Sequence, residues 1–313
     1  ASSREVMEYM TGRDGWDTTF PELNQPRRDF AGVFVPLCTP DPDDGLPGLW
    51  VFGGRVGSDS PPYGDPEFYP LECRRTCNVL LVDDDWDFGS PHYGGRPYYT
   101  SALGALGYPY HVWDTVTQGQ PTAADLQPYD AVVWFTGYAW HGGVFTAGNE
   151  TQVATYLNGG GRFFLSSQDY YFEAASVTPF MANYLGVNSV SQDVVDLDPT
   201  GDPYSPIGRG LGAYGMVRPD RWDAYWPTGG VEGPYDDEVI AAAGSHSPFL
   251  YNATGNPNST AHNGGVYRTV FLGWPLEWLD GQGERAQVLG SALDWMGCPS
   301  RPRALLPLML RNR

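Results

Sequence analysis

From Asn78 onward the chain alternates short apolar runs with amphipathic stretches. Val79, Leu80, Leu81 and Val82 form a continuous apolar run that ends on Asp83, Asp84 and Asp85, the pattern of a parallel strand covered on both faces. Residues 98–106 predict an amphipathic helix and 108–113 a second strand. Ala131 to Phe135, followed by Thr136 and Gly137, predicts a third strand and its loop. Thr146 opens a helix through about residue 157, with Glu150 in the first turns, where an acid suits the helix dipole. Residues 162–165 predict a fourth strand, 266–272 a late strand and 284–296 a closing helix. This alternation predicts an α/β domain over 77–299, a doubly wound and mostly parallel sheet. The stretch 187–261 is rich in Gly, Pro, Asp and Tyr and reads as a β and loop insertion. Residues 300–313 form a C-terminal tail.

Residues 1–76 show little helical periodicity and predict turn-rich β structure. The marks are Tyr9, Gly15-Trp16, Pro26-Arg27, an alternating stretch from Phe30 to Val35, and Val51-Phe52-Gly53-Gly54-Arg55. Their succession resembles a single kelch repeat over residues 5–70, with a long 38–47 loop for that family. One blade cannot bury both its faces, whereas a propeller closes several around a ring. The resemblance therefore implies that the segment packs on the α/β domain, belongs to a longer precursor or meets other chains.

Charge narrows the choice of partners. All 18 basic side chains are Arg, set against 37 acidic ones, for a net charge of −19. Nucleic acid and anionic membrane both need a basic footprint and are excluded as partners. The apolar runs fall far below the ~20 residues of a membrane span. No basic and apolar leader precedes Ala1, so a signal peptide is expected to have been removed already.

Four cysteines, Cys38, Cys73, Cys77 and Cys298, match no metal-ligand spacing. Three disulfide pairings are open to them, and geometry favours one. Cys77 begins the first strand, at the amino edge of the sheet. The closing helix runs antiparallel to the strands and returns Cys298 to that edge. Cys77–Cys298 would clamp the domain, leaving Cys38–Cys73 to staple the amino-terminal segment. Two reduced pairs is the alternative; the oxidised reading implies an extracellular or cell-surface location.

Residues 79–85, 129–137, 156–161, 164–169 and 273–277 succeed one another in an order that resembles the class I glutamine-amidotransferase-like superfamily. The likeness is to the flavodoxin-like form found within large bacterial surface proteins, and it covers nearly all of 78–297. Enzymes of that family carry a Cys at the strand-to-helix elbow and a His with an acid after a late strand. Here the elbow holds Ser166 and Ser167, without the G-x-S-x-G flanks that would relieve strain at an exposed serine. The late strand offers Trp274 and Glu277 but no His. The resemblance implies the fold and not the activity.

A serine triad would have to be rebuilt from Ser166, His141 and Glu277, with His246 as another base and Asp84 as another orienting acid. Otherwise Ser166, Ser167 and Gln168 bond loop backbone and cap the next helix. The acidic stretches offer Ca²⁺ candidates in Asp83, Asp85 and Asp87 and in Asp196 and Asp198, the latter pair followed by Gly201. Neither stretch has the Glu of an EF-hand, and solvated strand ends are the alternative. No other cofactor is expected. Asn149, Asn252 and Asn258 begin glycosylation sequons. Leu305, Leu306, Leu308, Met309 and Leu310 make an apolar stretch in the tail, which resembles the short Leu-Pro-Leu tails of some exported bacterial surface proteins. Such residues are expected to be buried, with a head-to-tail contact between copies as one route.

Three classes of function follow from these features. The first is a non-catalytic extracellular surface or structural protein, an assembly or filament subunit whose partners are copies of itself or other surface proteins. The second is a serine or carboxylate hydrolase. The third is a glycan-binding module, since 11 Trp and 20 Tyr offer faces for sugar rings.

Overall fold

The computed structural model divides the chain into two compact units, one built on Ala1–Arg75 and the other on Thr76–Arg301. Side chains are described for residues 77–85, 94–137, 139, 144–192, 194, 198–216 and 236–298; before residue 77 the strands are described by their backbone. In the first unit, β1 (Glu8–Met10) and β2 (Gly15–Asp17) form an antiparallel hairpin. Strands β3 (Arg28–Val35), β4 (Gly48–Arg55) and β5 (Glu67–Pro70) form an antiparallel meander in sequence order.

The second unit is built on a six-stranded sheet. Strands β6 (Val79–Asp83), β7 (Tyr110–Asp114), β8 (Ala131–Phe135) and β9 (Arg162–Ser166) come first in sequence. Short strands β10 (Val187–Ser191), β11 (Pro199–Gly201), β12 (Glu238–Ala241) and β13 (Phe249–Tyr251) follow, pairing β10 with β12 and β11 with β13. The last two are β14 (Ser259–Asn263) and β15 (Arg268–Leu272). The sheet order is β7-β6-β8-β9-β15-β14, parallel throughout except for β14. This is a doubly wound arrangement of the 2-1-3-4-5 kind with an antiparallel edge strand added.

Strand periodicity sorts the core into two layers. Val79, Leu81, Val133, Phe135 and Phe164 share one apolar cluster with Tyr99 and Leu103 of α1 (Arg96–Leu106). Leu80, Val82, Val132, Trp134, Phe163 and Leu165 share the other. Successive side chains of a strand point to opposite faces, so a run without polar positions needs cover on both. Short helices α2 (Thr115–Gln118) and α3 (Ala123–Leu126) follow β7. The second face is covered by α4 (Ala147–Asn158) through Val153 and Leu157. It is also covered by the short helices α5 (Tyr170–Ala174) and α6 (Pro179–Asn183). The first face also receives Val288, Leu289 and Leu293 of α7 (Gln282–Trp295).

Boundaries depart from expectation where tertiary contacts decide them. Helix α1 starts at Arg96 because Pro97 occupies its first turn, where its missing N–H leaves no hydrogen bond unmade. Tyr108 precedes β7 and turns inward, its hydroxyl donating to the Cys298 carbonyl at 2.7 Å. The late strand starts at Arg268, and Val266 stays 69% exposed. The stretch 259–261, read from sequence as the end of the insertion, belongs to β14 and the main sheet. Its Ser259 and Thr260 are fully buried polar residues, so apolar patterning gave no sign of a core strand.

Cys77 and Cys298 are joined in a disulfide with Cα atoms 5.2 Å apart, bridging a sequence separation of 221. Cys77 lies just before β6 and Cys298 just after α7, at the amino edge of the sheet. Two arginines meet the carbonyls that end α7. Arg162 Nε donates to Met296 at 2.8 Å, and Arg268 Nη1 to Trp295, which suits the negative end of the helix dipole. Cys38 and Cys73 lie outside the described residues.

Candidate functional site at the carboxyl edge of the sheet

Strands β6 and β8 lie side by side, yet the chain leaves β6 for β7 on one flank and continues from β8 to β9 on the other. Such a reversal opens a crevice at the carboxyl ends of the strands, where open α/β sheets bind ligands. Four strand exits converge there: Asp83 to Asp85, Thr136 with Gly137, Ser166 to Asp169, and Gly273 to Glu277.

The aspartates after β6 are committed to the fold. Asp83 accepts from Arg96 Nε, and the same guanidinium reaches Asp114 Oδ2 at 2.7 Å. Asp84 accepts from Thr115 Oγ1 at 2.8 Å, Gln120 Nε2 at 2.8 Å and Trp134 Nε1 at 3.1 Å. Burial raises the pKa of both carboxyls, against the opposing pull of Arg96 on the first and of those three donors on the second. Gln120 is held in turn by Asn149 Nδ2 at 2.7 Å. Asp84 thus ties β6 to the segment after β7, to β8 and, through Gln120, to α4.

Asp85 and Glu277 meet at the start of α1. Asp85 Oδ2 accepts the Gly95 N–H at 2.7 Å, at the positive end of that helix. A Cβ on Gly137, whose φ is +56°, would lie 2.0 Å from Asp85 Oδ1, so only glycine fits beside this carboxylate. Glu277 sits in a 3-10 turn after β15, only 5% exposed. Its Oε2 accepts from the Tyr99 hydroxyl at 2.8 Å, and its Oε1 would stand 3.5 Å from a Cβ on Gly95. Burial pushes the Glu277 carboxyl up to about 7, with Asp83 adding to the rise and Tyr99 and Arg285 opposing it. Burial and the neighbouring Glu277 hold the Tyr99 phenol well above its ordinary range. Glu277 therefore keeps its proton to near neutrality and is able to take part in proton transfer. Tyr99, an apolar-face position of α1, gave no chemical signal in the sequence.

The strand-to-helix corner is relaxed. Among the described residues other than glycine, only Phe145 and Ala175 have positive φ, and Asp169 at the start of α5 has φ −110°. The strained elbow that lifts a nucleophile above a sheet is not formed at residues 166–169. Ser166 is 1% exposed. Its hydroxyl donates to the Trp274 carbonyl at 3.1 Å and accepts the Leu276 N–H at 3.0 Å. Ser167 Oγ accepts from Thr136 Oγ1 at 2.7 Å. Gln168 Nε2 donates to Asp169 at 2.8 Å, while its buried Oε1 has no hydrogen-bond partner. None of the three caps α5; the serines instead stitch β8, β9 and the exit of β15 together.

Histidines near Ser166 are absent among its described partners. His262 Nδ1 bonds Ser245 Oγ at 2.9 Å, and the His246 ring stands edge-on to Trp295. His111 packs against Tyr129. Asp84, proposed from sequence to orient a histidine, is taken by the donors above. His141 lies outside the described residues, as do Asp87, Asp196, Leu305, Leu306, Leu308, Met309 and Leu310. Asp198 Oδ1 accepts the Met216 N–H at 3.3 Å. Among the described residues no group of three or more His, Cys, Asp or Glu is placed to hold a metal ion. Of the sequon asparagines, Asn149 and Asn258 are buried and Asn252 is exposed. Trp134, Trp274, Tyr99, Tyr170 and Tyr251 are core residues; among the described aromatics, Tyr204 at 94% and Phe172 at 45% are the large exposed ones. No described helix is long and apolar enough to cross a membrane.

No protein-family model matches the sequence, and no curated protein matches it. Among solved structures, a cytoplasmic protein of Salmonella typhimurium is similar at 12% identity, covering 70% of this chain and 98% of its own, with a TM-score of 0.48. A ThuA-like protein of Bacteroides uniformis is similar at 9% identity, covering 74% and 98%, also with a TM-score of 0.48. The glutaminase domain of CTPS from Trypanosoma brucei, solved with bound acivicin, is similar at 9% identity over 75% of this chain and 100% of its own, with a TM-score of 0.41. The doubly wound assignment rests on the strand order and register of this chain itself.

Proposed function

We propose that this chain is a non-catalytic extracytoplasmic protein that acts through protein–protein contacts on a glutamine-amidotransferase-like scaffold. One observation carries the reading: the Ser166 hydroxyl is held between the Trp274 carbonyl and the Leu276 N–H. A serine nucleophile needs a base within hydrogen-bond reach and a free line of attack. The buried Cys77–Cys298 disulfide supports an oxidising location, where such bonds persist. The kelch-like character of residues 5–70 and assembly through Leu305, Leu306, Leu308, Met309 and Leu310 belong to the same proposal. Purified protein is expected to leave generic ester and amide substrates intact and to associate with rising concentration in light scattering. Hydrolysis that Ser166→Ala abolishes overturns the non-catalytic reading. A monomer at high concentration overturns assembly.

A hydrolase remains the second reading, favoured by Glu277. A buried carboxyl raised to about 7 at the carboxyl edge is the kind of group that serves as a general acid or base. Turnover with an inflection near that pH, lost in Glu277→Gln, would establish it.

A further inference from the structure

Three asparagines begin N-x-S/T sequons, and the fold treats them differently. Asn149 is 2% exposed and is hydrogen-bonded through both its amide oxygen and its amide nitrogen. Its Oδ1 accepts from the Thr146 N–H and the Thr146 hydroxyl, each at 2.7 Å, and its Nδ2 donates to Gln120 Oε1 at 2.7 Å. That bond supports the Gln120 side chain on which Asp84 depends. Asn258 is 0% exposed, and its Oδ1 accepts from Trp274 Nε1 at 3.0 Å. Asn252 follows β13 on a turn whose residues 252–256 are all exposed. Its backbone N–H donates to the Asp198 carbonyl, fixing the turn while the side chain faces water.

We propose that Asn252 is the acceptor for an N-linked glycan in this chain, and that a glycan on Asn149 or Asn258 is incompatible with the fold. In the transfer, the Asn252 amide nitrogen bonds to the anomeric carbon of a lipid-pyrophosphate-linked oligosaccharide. The amide loses one proton and the lipid pyrophosphate leaves. The hydrophilic product stays in solvent at Asn252. At Asn149 it would wedge a sugar against the buried Nδ2 where it meets Gln120, and at Asn258 it would force a sugar into the packed space beside Trp274. Burying such a group among apolar residues without hydrogen-bond partners is prohibitive.

The test is secretion of the full chain from a eukaryotic host with its own oligosaccharyltransferase, followed by glycopeptide mapping of the folded fraction. One glycan, on Asn252, is expected. The corresponding gel shift should disappear on endoglycosidase treatment and be lost in Asn252→Gln, whose thermal midpoint should match the deglycosylated parent. Folded, secreted protein bearing a glycan on Asn149 or Asn258 overturns the proposal, as does folded protein with Asn252 unoccupied. The outcome is independent of whether the chain is catalytic or assembles.

Discussion

The Tyr99 hydroxyl donates to Glu277 Oε2 at 2.8 Å, joining residues 178 apart in sequence across the carboxyl edge of the sheet. Tyr99 also stacks on Phe135 with ring centroids 4.2 Å apart, so the phenol is fixed from behind as well as at its tip. The bond links α1, which follows β6, to the turn that follows β15. It places an ionisable carboxyl where water scarcely reaches it.

Glu277 should make stability fall as pH rises. Its folded pKa of about 7 stands above the ordinary 4.5, so the native state binds the extra proton between those values. Its contribution is complete below the unfolded pKa and is lost as pH rises through 7. The loss amounts to at most about 3 kcal/mol by the linkage between pKa and free energy. Glu277→Gln, which keeps the shape and cannot ionise, should flatten this dependence and be the more stable form at pH 8. Urea titrations at pH 5 and pH 8 check it. Equal slopes for the two proteins would rule the assignment out.

Asp84→Ala should be destabilising. It leaves the buried Trp134 indole N–H without its acceptor, while the half-buried Thr115 and the exposed Gln120 can turn to water. One buried donor left unmet puts the expected cost at about 1–3 kcal/mol. Chemical denaturation measures this directly. A change within about 0.5 kcal/mol, the usual range for surface substitutions, would show that Asp84 is not a structural hub.

Ser166→Ala should lower stability and leave hydrolytic background unchanged. The substitution frees the Trp274 carbonyl and the Leu276 N–H, for a cost of roughly 1–3 kcal/mol. A thermal melt and an ester assay on the same samples separate the two roles. Loss of activity without loss of stability would make Ser166 a nucleophile after all.

Removing the disulfide as Cys77→Ala with Cys298→Ala should cost ~2–4 kcal/mol, through the long loop it closes in the unfolded chain. Non-reducing peptide mapping of the parent should recover the 77–298 pair. A Cys73–Cys77 peptide would contradict it.

Much of the architecture was legible because its signals are local. Val79 to Val82 and Ala131 to Phe135 are apolar without interruption, and each is buried on both faces. Strand β14 escaped notice because Ser259, Thr260 and His262 look like loop residues. Thr260 nevertheless sits in the core, its hydroxyl donating to the Leu185 carbonyl at 2.7 Å. The acidic run at the end of β6 was legible only in part. Three successive carboxylates suggest solvent or calcium, and spacing alone cannot reveal that Arg96, Trp134 and Gly95 each claim one of them.

By itself, then, the sequence determined the alternation of strands and helices, the acidic surface charge and the ends of the domain that Cys77 and Cys298 bridge. These follow from periodicity and from position along the chain, which need no partner to be read. Only the tertiary structure decided that the Ser166 hydroxyl bonds backbone 108 and 110 residues away, and that Glu277 accepts the Tyr99 hydroxyl. A polar side chain takes its role from the groups that replace its water. In this chain those groups arrive from strands and helices distant in sequence, brought together by the winding of the sheet.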